Sequence, residues 1–170
     1  MPKFKQADIS ELSFNPFTLI NNEWMLVTAG DEQKNNTMTA SWGGVGVLWN
    51  KNVSFIFIRP QRYTLEFIEQ QDCYSLCFFD KEYKPALSFC GAKSGRDVDK
   101  VKETGLTPVY DEAAPYFAQA KLVLICRKLY GQKIDPACLI DAGIDSASYP
   151  GKDYHKMFIG AIEKVLIKED

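Results

Sequence analysis

The sequence predicts a mainly β fold of the α+β kind, a small antiparallel barrel with short helical insertions. Three observations carry this. Six or seven segments are rich in β-branched and aromatic residues and close on turn signals, against about three short helical patterns. Those strands are not interleaved regularly with long helices, as a doubly wound parallel sheet would require. Eleven Phe, 8 Tyr and 3 Trp give 13% aromatics, which suits strands or a pocket that stacks a flat ligand.

Taken in order, residues 1–20 contain Pro2 and Pro16 and read as an irregular arm that runs on to about Asn22. Trp24 to Gly30 is β-prone and ends on Gly-Asp, a turn signal. Thr37 to Val47 mixes β-branched, aromatic and glycine residues, and Val53 to Ile58 (VSFIFI) is a strand closed by Pro60. Thr64 is placed as a helix N-cap, with Tyr63 and Ile68 spaced as a hydrophobic staple and the helix running to about Gln71. Cys73 to Phe79 returns to strand, and a short helix follows with Pro85 in its first turn. Asp97 opens another helix that Gly105 stops. A strong strand, KLVLICRKLY, lies near 121–130. Ala142 to Asp153 is rich in Gly, Ser, Pro and Asp and reads as a surface loop, the kind that often serves as a lid. From His155 to Lys168, Met157, Phe158, Ala161, Ile162, Val165 and Leu166 fit one helix face, whereas Gly160 argues against a helix.

At 170 residues the chain is expected to form one domain with a core that needs no staples. Twenty Lys+Arg against 22 Asp+Glu leave a net charge of −2, and neither half is strongly basic, so a nucleic-acid or membrane-surface partner has no electrostatic support. The N-terminus, MPKFKQADISEL, has no apolar core of a signal peptide, and the longest clean apolar run is Leu122 to Cys126, so a cytoplasmic location is expected. Cys73, Cys77, Cys90, Cys126 and Cys138 show no CxxC, and with one histidine, His155, they are expected to be reduced thiols and not metal ligands. GxGxxG and GxxxxGK[ST] are both absent.

Four constellations are candidates for chemistry. In Asn36-Thr37-Met38-Thr39-Ala40-Ser41-Trp42, followed by Gly43-Gly44, a strand would project Thr37, Thr39 and Ser41 to one face. Three hydroxyls beside a glycine pair can bond a polar planar ligand, although pattern alone favours an ordinary Thr/Ser-rich strand with one solvent face. In Arg59-Pro60-Gln61-Arg62-Tyr63-Thr64 two arginines precede a helix start, which describes a phosphate cradle and a capped helix with solvated cations equally well. Ser94-Gly95-Arg96-Asp97 with Lys100 repeats that logic, and taken alone is better read as a solvated charge run. His155 follows the flexible segment, where it can close over a ligand, although a lone histidine is more often structural.

In this order, NTMTASWGGV at 36–45, RPQRYTLEFIEQ at 59–70, CGAKSGRDVDK at 90–100 and HKMFIGAIEKV at 155–165 resemble the flavin reductase-like, FMN-binding split-barrel family, specifically its flavoredoxin-type members. The resemblance covers about Asn21 to Leu166. It implies a six-stranded antiparallel split β-barrel with Greek-key connections, formed by 1–170 as a single FMN-binding domain and usually paired as a homodimer. It also implies that Asn36, Thr37, Met38, Thr39, Ala40, Ser41 and Trp42 line the ring and ribityl chain of FMN. Arg62, Tyr63 and Thr64, with Arg59, would hold the phosphate, and Ser94, Gly95, Arg96, Asp97 and Lys100 would complete the site. His155 would stand on a last strand, at the nicotinamide or substrate side. The implied activity is hydride transfer from NAD(P)H to bound flavin and on to a small or protein acceptor. The alternatives are a non-enzymatic FMN electron carrier and a split barrel that binds another small ligand without flavin.

Overall fold

In the computed structural model, which describes residues 3–169, period-two alternation sorts apolar residues onto the two sides of one sheet. The strands in chain order are β1 (Phe4–Ala7), β2 (Met25–Gly30), β3 (Asn35–Ala40), β4 (Gly43–Leu48), β5 (Lys51–Ile58), β6 (Cys73–Phe78), β7 (Pro108–Val109), β8 (Tyr116–Phe117), β9 (Leu122–Lys133) and β10 (Lys156–Lys168). The main sheet runs β3-β2-β6-β9-β10-β5-β4, with β1 added beside β10, and β7 and β8 form a separate ribbon. Every pairing is antiparallel. Consecutive strands β3 and β4 are therefore the two edges, joined only through Ser41 and Trp42. Three Cα steps of ~3.8 Å cannot separate Ala40 from Gly43 by more than ~11 Å, so the sheet curls until its edges nearly meet at this seam.

The side facing into the curl holds Met25, Val27, Ile56, Ile58, Tyr74, Leu76, Leu124 and Cys126. Leu26, Cys77, Val123 and Ile125, the alternate positions of the same strands, face a second cluster with Leu87, Cys90 and Phe117. Five short helices complete the chain: α1 (Pro16–Thr18), α2 (Thr64–Gln70), α3 (Lys84–Ala92), α4 (Lys100–Thr104) and α5 (Ala142–Ser148). Phe67 and Ile68 of α2 join the inner cluster, and Leu87 and Cys90 of α3 join the outer one. No helix among the described residues is long and apolar enough to cross a membrane.

The antiparallel open barrel expected from the sequence is this curled sheet. It has eight strands, because the arm supplies β1, paired with β10, and because the stretch 37–47 divides into β3 and β4. Gly43 makes that division possible. Its φ is 149°, and a Cβ there would lie 2.7 Å from the Phe55 carbonyl oxygen. The segment that follows His155 is strand and not helix, and it starts at Lys156. Its pairing with β9 shifts register at Ile159/Gly160 and Ile162/Lys164, and these irregularities break the strict alternation and leave apolar pairs at helical spacing.

Three local expectations are corrected. Thr64 does not cap α2, because the backbone is already helical at Tyr63 (φ −59°, ψ −34°). The helix expected from Asp97 starts at Lys100 and is capped by Asp99, whose carboxylate accepts from the Lys102 amide at 3.1 Å; Gly105, at φ 68°, ends it as expected. The surface loop at 142–153 contains α5, capped by Asp141, whose Oδ1 accepts from the Gly143 amide at 2.9 Å.

Candidate functional site

The seam opens on a cleft of about 220 Å³ lined by Met38, Thr39, Ala40, Ser41, Trp42, Phe57, Arg59, Arg62 and His155. Residues earlier on β3 line a polar hollow of about 530 Å³, where Asn36 and Thr37 meet Gly95, Arg96, Asp97 and Lys100. The structure thus gathers the four sequence constellations around one strand, β3.

The C-terminal turn of α3 organises them. The last carbonyls of a helix lack intrahelical donors and carry the negative end of the dipole, so they attract cations. Lys100 Nζ donates to the Cys90 carbonyl at 2.9 Å and to the Thr37 carbonyl at 2.7 Å. Arg62 Nη1 donates to the Gly91 carbonyl at 2.7 Å. One turn earlier, the Thr39 hydroxyl donates to the Leu87 carbonyl. Gly91 lets α3 lie this close, since a Cβ there would already sit 3.3 Å from Thr39 Cβ. Burial pushes the Lys100 ammonium down to about 8; the nearby Cys90 thiol opposes this shift and Arg62 reinforces it.

Arg62 is the chemically unfinished member. Its Nη2 is buried and is the one buried side-chain nitrogen or oxygen among the described residues without a hydrogen-bond partner. Burial lowers the pKa of the group from its ordinary value, with the Cys90 thiol opposing. An unpaired buried guanidinium nitrogen costs free energy that an anion would offset with a charge-assisted bond.

Other predicted ligands are buried or have polar groups engaged within the protein. Thr37 is buried, its hydroxyl 2.8 Å from that of Thr28 across the β2–β3 pair, so it does not share an open hydroxyl face with Thr39 and Ser41. Ser41 and Trp42 lie beyond the end of β3, in the seam, where the alternation has stopped. Met38 and Ala40 point into the inner cluster. Thr64 is fully buried, its hydroxyl accepting from Asn36 Nδ2 at 2.8 Å, and that burial keeps it out of an open phosphate cradle. Arg59 donates to Asp153 Oδ2 at 2.7 Å and to the Ser148 carbonyl at 3.0 Å, tying the end of α5 to the end of β5. Arg96 pairs with Glu66 and stacks on the Tyr63 ring at 4.5 Å. Ser94 Oγ accepts from the Arg96 amide at 3.2 Å, and Gly95 fits against Asn36 and Tyr63 where no Cβ could.

His155 stands immediately before β10, with its Nδ1 2.8 Å from the Tyr149 hydroxyl and its ring 5.2 Å from that of Trp42. Burial, and secondarily Arg59, push it down to about 4 against the opposing influence of Asp153, so the imidazole is neutral at pH 7. Sequence reasoning missed Phe57, Tyr149 and the α3 carbonyls. Backbone acceptors leave no mark in a sequence, and Tyr149 was hidden in a segment read as a loop. A large aromatic six residues ahead of the only histidine was the available signal. Together these groups offer a slot flanked by Trp42 and Phe57, a cation with an unused donor and a neutral imidazole. That set suits a flat ligand with an anionic group.

The sequence model described as "Flavin reductase like domain" matches residues 17–170. Among solved structures, the flavoredoxin of Desulfovibrio vulgaris (Miyazaki F) is 22% identical with a TM-score of 0.66, covering 86% of this chain and 69% of that one. An FMN-binding domain of a flavin reductases-like enzyme from Shewanella baltica is 16% identical with a TM-score of 0.69, covering 98% and 78%. The NADH:FAD oxidoreductase SgcE6 of Streptomyces globisporus is 16% identical with a TM-score of 0.62, covering 86% and 78%. At such identities these likenesses speak for the fold. A comparison with curated protein sequences gives no match.

Proposed function

The chain belongs to the flavin reductase-like family, and on that premise we propose that residues 1–170 form one FMN-binding unit that passes hydride from NAD(P)H to bound flavin and on to a small or protein acceptor. The observation that carries this reading is the buried, unpartnered Nη2 of Arg62 at the edge of a cleft flanked by Trp42 and Phe57. Arg62, held by the Gly91 carbonyl, would bond the flavin phosphate, and Lys100 would add positive charge from beneath. Ser41, Trp42 and the adjoining glycines would admit the ring at the seam, and His155 would border it on the side where a second substrate enters. When bound, FMN supplies the hydride-accepting chemistry. The protein's part is to position the rings and hold the phosphate, which needs no charged general base, in keeping with the neutral His155.

A homodimer belongs to the same proposal. Edge strand β4 exposes Val47, with Trp49 just beyond it in the turn, while Phe17 and Trp42 border a neighbouring groove of about 530 Å³. Apolar side chains beside an unpaired strand edge favour self-association. The likeness to a flavoredoxin favours a second reading, an FMN electron carrier without nicotinamide turnover. Stopped-flow mixing of the FMN-loaded protein with NADH or NADPH separates the two. Rapid bleaching of the visible flavin band is expected for the oxidoreductase, and an unbleached band assigns the carrier role. A protein that stays colourless with added FMN contradicts both.

A further inference from the structure

Tyr149 has no place in the flavin reading, yet it is 4% exposed and its hydroxyl has one partner among the described residues, His155 Nδ1 at 2.8 Å. The direction of this hydrogen bond follows from burial. If Nδ1 carried the proton and donated, the phenolic hydrogen of Tyr149 would be left without an acceptor in a buried setting, which costs free energy. If the phenol donates, both groups are satisfied and the imidazole proton resides on Nε2. Tyr149 is itself immobilised. Arg59 Cζ lies 5.2 Å from its ring centroid, the Tyr154 ring packs at 4.8 Å, and Arg59 also holds the adjacent Ser148 carbonyl.

We propose that Tyr149 is a positioning residue that donates to His155 Nδ1 and so presents the Nε2–H to the cleft as a hydrogen-bond donor for a carbonyl-type oxygen of the ligand. The consequence is specificity. A neutral N–H favours an uncharged acceptor such as a ring or amide carbonyl, whereas phosphate is left to Arg62. The charged groups facing the imidazole are Arg59 from the end of β5 and Asp153 from the α5–β10 connection, and they engage each other at 2.7 Å. Their mutual pairing leaves the Tyr149 hydroxyl as the partner that sets the tautomer. The identity of the acceptor oxygen rests on the flavin reading; the tautomer does not.

Because the chain has a single histidine, protein labelled with 15N-histidine gives the signals of one imidazole. Expected for the flavin-free protein at pH 7 is a neutral ring with the proton on Nε2. In Tyr149→Phe the spectrum should become that of exchanging tautomers. Tyr154→Phe, whose hydroxyl bonds Asp145 and not His155, should leave the tautomer unchanged. A wild-type imidazole protonated on Nδ1 or charged at pH 7 would overturn the proposal even if Tyr149→Phe fails to fold, as would a Tyr149→Phe spectrum identical to the wild type. Adding FMN and then NAD+ locates the acceptor. A downfield move of the Nε2 proton with FMN assigns the flavin ring, a move only after NAD+ assigns the second substrate, and no move in a protein that has turned yellow overturns the donor role. A protein that stays colourless fails the flavin reading while the tautomer result stands.

Discussion

The barrel interior and the seam use polar groups in opposite ways. Inside the barrel the Tyr74 hydroxyl lies 2.7 Å from Ser54 Oγ, which also approaches Cys126 Sγ at 3.3 Å, and Gly160 opposite leaves room for no Cβ. That network is closed, with each member spent on another. At the seam, Arg62 keeps a buried donor without a partner, His155 keeps one nitrogen for the cleft, and Trp42 is half exposed. The same chain that satisfies its core leaves donors unused along one line. An interior that is complete serves stability, and an edge that is incomplete serves binding.

Substitutions in the two regions should therefore separate stability from affinity. Leu124, fully buried in the inner cluster, should cost about 2–5 kcal/mol of unfolding free energy when changed to Ala. The folded fraction should still bind FMN with wild-type affinity. Urea denaturation and flavin titration on the same sample check both halves; a matching loss of affinity would break the distinction between the regions. Arg62→Ala should do the reverse. FMN binding should weaken by about 1.5–3 kcal/mol, the range for a hydrogen bond to a charged group. Riboflavin affinity should hold, and ligand-free stability should change little, because loss of the Nη1 bond to Gly91 is offset by removal of the unpaired buried Nη2. Equal losses for FMN and riboflavin in fluorescence titrations would make Arg62 structural.

The smallest effects concern His155. His155→Ala should leave flavin content near normal and alter turnover, and unchanged steady-state kinetics would remove it from the site. In the folded wild type its pKa is held at about 4 against an ordinary 6.5. Above pH 6.5 both folded and unfolded chains carry it neutral. As the pH falls from 6.5 toward 4, the unfolded chain takes up a proton that the folded chain does not, so stability declines across that window. His155→Ala should flatten the decline, as read from urea midpoints between pH 4 and 7.

The strands were legible wherever one local pattern settled the matter. Val53 to Ile58 is β-branched and aromatic, and forms most of β5. The candidate site was legible only as a set of segments that the fold brings together, since the Arg62 turn, the turn before α4 and His155 converge around β3. The roles within each segment were not, because they depend on partners distant in the chain. Thr64 looks like a phosphate ligand until it is buried with its hydroxyl against Asn36, 28 residues away. Arg59 looks like a phosphate ligand until Asp153 arrives from 94 residues on. Helix α5 has the composition of a loop, and its Asp141 cap and the Arg59 anchor at Ser148 outweigh weak propensity. The helical spacing of apolar residues in β10 has a physical cause, the two register shifts against β9, and the strand that the resemblance implied is the one observed.

Crystals grown with FMN would show whether the seam between β3 and β4 is a flavin site with Arg62 as its anion anchor. Ring density is expected in the cleft beside Trp42, with a phosphate oxygen within hydrogen-bond distance of Arg62 Nη2. Flavin bound elsewhere, or a seam packed shut against protein with Arg62 Nη2 bonded to a protein acceptor, would contradict that expectation.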